Sequence, residues 1–195
     1  MKKILLALLT CMSLFELSAL DKLKESYLIP YGNPSAPIKI THYFSFRCPH
    51  CIELFREDFK KIKALYLEEI YWVFHPIPMD LLTVQGMVCL DKLDTREKRI
   101  FLEAILEEMV IDDSDLSVCM MEKAMEIFEK PITQLQDKDY LSQTAAFQDA
   151  FLFLKQEEKI TAVPSVEIND KLYLKEVPNQ VFIASKIEKL LRDQK

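Results

Sequence analysis

Two thiols separated by two residues carry the plainest chemistry in this chain, in the run Cys48-Pro49-His50-Cys51. Thiols this close can close into one small ring, so the pair can exist as a dithiol or as a disulfide. The run sits where the apolar stretch Ile38 to Phe46 ends and a helical pattern beginning near Ile52 takes over. A sulfur at the start of a helix meets backbone N–H groups without partners and the positive end of the helix dipole, and both favour its thiolate. Cys48 is therefore the candidate nucleophile, and Cys51, one turn on, the resolving thiol. Pro49 has no N–H to lose and a φ already suited to a helix start, while His50 can add positive charge or a donor beside the sulfur. A stabilised thiolate is also a good leaving group, which makes a Cys48–Cys51 disulfide oxidising.

The elements that must hold these thiols can be read from periodicity. Residues 21–37, with Pro30, Gly32, Pro34 and Pro37, read as turns rather than as an element. Ile38 to Phe46 is a strand apolar on both faces, as a central strand covered by helices should be. The helix after the thiols places Ile52, Phe55, Phe59, Ile62 and Leu65 on one face, and Ile70 to His75 is a second buried strand ended by Pro76 and Pro78. From Leu81 to about Glu158 the pattern is helical. One segment is lined by Ile100, Ala104, Ile105 and Met109, the next by Leu116, Cys119, Met120, Ile127 and Phe128, the third by Phe147, Phe151 and Leu154. Two alternating runs, Ser165 to Ile168 and Leu172 to Val177, meet at Asn169-Asp170 as a hairpin, and a closing helix from about Pro178 carries Val181, Ile183, Ile187, Leu190 and Leu191. The order predicts an α/β protein with a mixed sheet, helices on both faces and a helical insertion at 81–143 between a first part, 20–80, and a second, 144–195.

Composition narrows what the chain can do. A net charge of −6 and the absence of a basic run argue against nucleic-acid binding, and with only Gly32 and Gly86 no phosphate-cradling glycine loop can be written. Residues 1–19 read as a secretory leader: Met1-Lys2-Lys3, then Ile4 to Phe15, apolar but shorter than the roughly 20 residues of a membrane span, with cleavage after Ala19. Leu8-Leu9-Thr10-Cys11 is a weak lipoprotein box, since Thr is unfavourable before the cysteine. Export places the remaining cysteines, Cys48, Cys51, Cys89 and Cys119, in an oxidising compartment, where an even count suits pairing. Cys89 and Cys119 are open to two readings, a structural disulfide between helices of the insertion or two inert thiols among apolar neighbours. The histidines lack metal-ligand spacing and no second paired-cysteine motif exists, so a zinc site on Cys48 and Cys51 is disfavoured and no cofactor is required. His75, ending a strand before Pro76, reads as structural.

The segment Phe44-Ser45-Phe46-Arg47-Cys48-Pro49-His50-Cys51, the order of elements, and Val163-Pro164 just before the hairpin together resemble the bacterial DsbA-type thiol:disulfide oxidoreductases, thioredoxin-fold proteins with an inserted helical domain. The resemblance spans nearly all of the chain after the leader. It implies a cis Pro164 facing the thiols, with the Val163 backbone bonding an extended substrate peptide as an added strand. It also implies a periplasmic enzyme that passes its disulfide to reduced, unfolded secreted proteins and is reoxidised by a membrane partner of the DsbB kind. Two residues depart from that pattern. Six positions before Cys48, where relatives usually carry a buried acid, stands His42, either a hydrogen-bonded core imidazole or a proton relay or tuning charge. Arg47, often apolar in relatives, adds positive potential at the thiolate or is a solvated rim charge. A monomeric dithiol oxidase is the leading expectation. A reductase or isomerase of the same fold is the second, although the stretch between leader and first strand is too short for a dimerisation domain. A chaperone-like binding module with incidental thiols is the third.

Overall fold

A run as apolar as Ile38 to Phe46 has to be covered on both faces, and in the computed structural model it supplies the middle strand of a five-stranded sheet. The structure describes residues 26–108, 114–156, 160–173 and 179–193. The leader read at 1–19, Cys11, Met109, the side chain of Leu154, and the end of the second hairpin run lie outside them. Strands β1 (Ile29–Gly32), β2 (Ile38–Phe44), β3 (Ile70–Pro76), β4 (Ser165–Ile168) and β5 (Lys171–Tyr173) stand in the order β1-β3-β2-β4-β5. β2 runs parallel to β3 and antiparallel to β4, so His42 lies opposite Phe74 on one side and Val166 on the other. The β4–β5 turn is made by Asn169 and Asp170, with φ of 45° and 64°, the left-handed pair that a two-residue type I′ hairpin needs.

β1 corrects the sequence reading, which took 21–37 for turns. It pairs antiparallel with β3, Pro30 opposite Val73. As an edge strand it is paired on one side only, so the N–H that Pro30 lacks can fall on the unpaired side. The Pro30 carbonyl accepts from Arg99 Nε at 2.5 Å, which ties the first strand to helix α3 (Thr95–Glu108).

Helix α1 begins Pro49–Glu53, widens into a π-helical stretch Leu54–Phe59 and finishes Lys60–Tyr66. Its buried face includes the expected Ile52, Phe55, Phe59 and Ile62, with Leu54 added where the wide turn rotates the register; Leu65, at the end, is exposed. Phe55 and Phe59 stack on each other and meet Phe74 edge-on, so α1 is pinned to β3 beneath the thiols.

Between β3 and β4 stand α2 (Leu81–Asp91), α3, α4 (Ser114–Ile127), α5 (Lys138–Ser142) and α6 (Ala145–Gln156), and α7 (Gln180–Asp193) closes the chain. α2 is buried from Leu82 to Leu90, the pattern of a helix enclosed on all sides. The faces of its neighbours are not the ones read from sequence. α3 buries Phe101, Leu102, Ile105 and Leu106 and leaves Ile100 outside; α4 buries Val118, Met121 and Met125 and leaves Leu116 and Ile127 out; α6 buries Ala146, Ala150 and Phe153 and leaves Phe151 out. Each helix writes two apolar stripes, and packing partners choose between them. In α6 the small Ala146 and Ala150 allow α2 to come close, which a stripe of phenylalanines would not. Among the described residues no helix is long and apolar enough to cross a membrane.

Gly86 lets α2 pack tightly against Phe46, in the turn that leads to Cys48. A Cβ there would lie 2.5 Å from Phe46 Cε2, and Phe46 is itself fully buried. Gly86→Ala gains up to about 1 kcal/mol of helix propensity but overpacks a filled site, at about 1–3 kcal/mol. The expected result is a net loss of stability, read as a lower urea midpoint with an unchanged slope.

Candidate active site

Cys48 is the N-cap of α1, with an extended backbone and Pro49 in the first turn. Its carbonyl accepts from the N–H groups of Cys51 and Ile52 at 3.0 and 3.1 Å, which fixes the turn. The Cys48 sulfur is half-buried, while Cys51 lies fully inside. All four described cysteines are free thiols, so the Cys48–Cys51 pair stands in its dithiol form. The Cys48 thiol is pulled down to about 6. The largest cause is the hydrogen bond from the Cys51 thiol, helped by the backbone N–H groups of Cys51 and His50 and by the His50 charge, against the opposing effect of burial. Cys51 moves the other way, pushed up first by burial and then by the thiolate it faces. The asymmetry makes Cys48 the one that ionises.

Opposite the thiols, the Val163–Pro164 peptide is cis, and the Cys48 thiol donates to the Val163 carbonyl at 3.6 Å. Residues far apart in sequence are thus brought together as the resemblance implied. His50 is exposed and stands 3.7 Å from Glu53. Arg47 is also exposed, and with Leu81, Leu82, Gln85, Asp115, Val118 and Gln136 it borders a cleft of about 320 Å³ beside the active-site turn.

His42 lies beneath the site on β2, fully buried against Trp72 and Phe74. Neither ring nitrogen has a hydrogen-bond partner among the described residues, and burial drives the imidazole down to about 3. Burial favours its neutral form, and the hydrogen bond that one reading assumed is absent among the described residues. The sign of its pH effect follows. The unfolded chain takes up a proton below pH 6.5 and the folded one only near 3, so stability is whole above 6.5 and drains away down to about 3. A shift of that size corresponds to roughly 5 kcal/mol. His42→Leu removes the titration, so its urea midpoint should change far less than the wild type's between pH 7 and pH 4.

Cys89 and Cys119, like the Cys48–Cys51 pair, are both free thiols in this structure. Cys89 is wholly enclosed in the core and burial pushes its thiol up, the behaviour of a small apolar residue, while Cys119 is half-exposed on α4. His75 packs its ring on Tyr43 and Phe153, a structural place. Among the described residues no three His, Cys, Asp or Glu side chains gather as a metal set.

The sequence reading missed a polar cluster behind the turn. The Ser45 hydroxyl donates to Asp80 Oδ2 at 2.6 Å, Thr83 donates to the same oxygen at 2.8 Å, and Asp80 Oδ1 caps α2 by accepting from the Thr83 N–H at 2.8 Å. The Phe46 N–H donates to Thr83 Oγ1 and the Arg47 N–H to Ser45 Oγ, both at 3.0 Å, so the Phe46 peptide is held from the insertion and the Arg47 peptide by Ser45, itself tied to Asp80. An Asp followed by Thr three residues on, ahead of an apolar helix, was the available signal.

Comparison with known proteins agrees with this fold. A family model described as Thioredoxin matches residues 24–182. A search of curated protein sequences finds no match. Among solved structures, the fold is similar to alpha-DsbA1 of Wolbachia pipientis (23% identity, TM-score 0.63, covering 84% of this chain and 90% of that one). It is similar also to oxidised BdbD of Bacillus subtilis (20%, 0.66, 87% and 95%) and to DsbA of Chlamydia trachomatis (20%, 0.65, 86% and 93%). At these identities the likeness speaks for the fold.

Proposed function

The chain belongs to the thioredoxin family, and from that premise we propose that it is an exported dithiol oxidase that donates the Cys48–Cys51 disulfide to reduced proteins. A substrate thiolate attacks the Cys48 sulfur of the oxidised enzyme, a mixed disulfide forms, and Cys51 leaves with the electron pair and takes up a proton. A second substrate thiolate then attacks the substrate sulfur of that mixed disulfide and expels Cys48 as its thiolate. The substrate is oxidised by two electrons and the enzyme is left as the dithiol.

The observation that carries this reading is the pairing of a Cys48 sulfur held down to about 6 with a Cys51 pushed up. Stabilising the Cys48 thiolate stabilises the reduced enzyme, and a stable reduced form makes the disulfide the stronger oxidant. When Cys48 ionises it no longer donates to the Val163 carbonyl, which is then free to accept from the backbone of an extended substrate, with Pro164 beside it. His50, exposed beside the sulfur, and Pro49 complete the rim on which the substrate settles. In this reading the leader at 1–19 sends the protein to the periplasm, it works as a monomer on unfolded secreted chains without a cofactor, and a DsbB-like membrane protein returns it to the disulfide.

Direction is tested by setting two assays side by side. The oxidised protein should restore activity to a reduced, unfolded disulfide protein faster than the reduced protein precipitates insulin. The opposite order would make it a reductase or isomerase, and activity in neither assay would favour a binding module.

A further inference from the structure

Beside the thiols the chain builds a second surface that the exchange chemistry leaves unused. The cleft of about 320 Å³ next to the active-site turn is bounded by Arg47 from the turn, Leu81 and Gln85 from α2, Asp115 from α4 and Gln136 from the stretch before α5. Val163 does not line it, so the cleft is distinct from the edge opposite Cys48. One wall is fixed: Gln85 is buried and its Nε2 donates to the Leu135 carbonyl at 2.7 Å, which ties α2 to the segment carrying Gln136. Arg47 is exposed but anchored at its backbone, where its N–H donates to Ser45 Oγ at 3.0 Å. Among the described residues no carboxylate pairs with its guanidinium. The other acids near the turn are engaged elsewhere, Asp80 by Ser45 and Thr83, Glu53 beside His50.

We propose that this cleft receives an acidic side chain of the substrate, close to the substrate's reacting cysteine, and that Arg47 selects for it. The proposal rests on the thiol:disulfide reading above and names the class of chain that reading favours. Arg47 directly precedes Cys48, and consecutive Cα atoms are only about 3.8 Å apart. A substrate cysteine joined to the Cys48 sulfur therefore brings its own neighbours to the mouth of the cleft. In an extended peptide, which advances roughly 3.3 Å per residue, the acid falls about two positions from that cysteine. A guanidinium presents a rigid fork of N–H donors that matches both oxygens of a carboxylate. Leu81, 46% exposed, gives the methylenes of a glutamate an apolar contact. Asp115 is the one carboxylate among the described residues that borders the cleft, and its charge opposes a second anion there, so the site fits a single acid rather than an acidic run. Arg47 alters which chain is oxidised and not the exchange itself: the substrate dithiol still gives up two electrons in closing its disulfide, and the Cys48–Cys51 disulfide takes them.

Competition between two substrates reads this selection, because their products at limiting enzyme form in the ratio of their kcat/KM values. Two reduced dithiol peptides, identical except for Glu or Gln at that spacing from each cysteine, compete for a limiting amount of the oxidised full-length chain. Their disulfide forms are then counted by mass spectrometry. A nearby carboxylate also raises the pKa of the peptide's own thiol, an effect that cancels when the Glu/Gln ratio of one enzyme is divided by that of another. The Glu/Gln ratio should be about fivefold higher for the wild type than for Arg47→Gln, the upper end of what an exposed ion pair supplies. Arg47→Glu should lower it further, and Asp115→Asn should raise it above the wild type. Arg192→Gln removes a charge of the same sign from α7 and should keep the wild-type ratio. All three positions are exposed, so the variants should keep the fold. Equal ratios in wild type and Arg47→Gln overturn the inference, as does a loss in Arg192→Gln as large as in Arg47→Gln, which would assign the effect to net charge. An unchanged ratio in Asp115→Asn overturns it too, since the acid would then lie outside the cleft. A wild-type chain that oxidises neither peptide would instead sink the oxidase reading itself.

Discussion

Cys48→Ser should bring disulfide transfer to reduced substrate proteins down to the rate without enzyme. A serine hydroxyl ionises far above the working range and oxygen forms no exchangeable bond with sulfur, so neither half of the exchange can run. The substitution is close to isosteric at a half-buried position, and at about pH 5, where the Cys48 thiol is protonated in folded and unfolded chain alike, stability should stay within about 0.5 kcal/mol of the reduced wild type. Loss of activity with the urea midpoint preserved assigns the chemistry to the Cys48 sulfur. Retention of more than a small residue of activity would place the reacting sulfur elsewhere, Cys119 being the other described cysteine with exposed surface.

Cys51→Ala should have two separable effects. Without a resolving thiol, mixed disulfides between Cys48 and substrate or glutathione accumulate instead of turning over, visible as a mass increase removed by dithiothreitol. The second effect is electrostatic. The hydrogen bond from Cys51 is the largest cause of the low Cys48 value, so the variant's thiol should titrate well above 6, while the N–H groups and the His50 charge keep part of the effect. A Cys48 that still titrates near 6 in Cys51→Ala would shift the explanation from the partner thiol to the helix start and His50.

The parts of the site that lie in one short run of sequence were legible. Cys48, Pro49, His50 and Cys51 could be placed at a strand-to-helix junction because an apolar run and a 3.6-residue pattern meet there. Val163 and Pro164 needed the family resemblance, since spacing alone gives no reason for the chain to return to the thiols from so far. What stayed hidden depended on contacts chosen in three dimensions. Asp80 looks in sequence like the residue after a pair of prolines; only the packing of α2 under Phe46 turns its carboxylate toward Ser45. The helical faces failed for a related reason. Phe151 and Ile127 are as apolar as the residues that won burial, and the small side chains of Ala146 and Ala150, which decided the contact, carry almost no hydrophobic signal. β1 escaped because an edge strand with a proline in it looks like a turn until its partner is known.

Ionisation of the active-site thiols also fixes a pH signature for the reduced protein. A Cys48 held below its unfolded value favours the folded dithiol as pH rises from about 6 toward about 8.5. Above that, the unfolded chain ionises Cys51 as well, which the folded protein resists, and the gain reverses. The disulfide form lacks both groups and should show neither limb.

The most direct measurement is the thiolate absorbance of the reduced wild-type protein followed from pH 4 to 10, with the Cys48→Ser protein as the blank. A single thiolate appearing with a midpoint near 6 is the predicted result. A midpoint near 8.5, that of an ordinary cysteine, would contradict it and with it the claim that the start of α1 and its partner thiol make Cys48 the better anion.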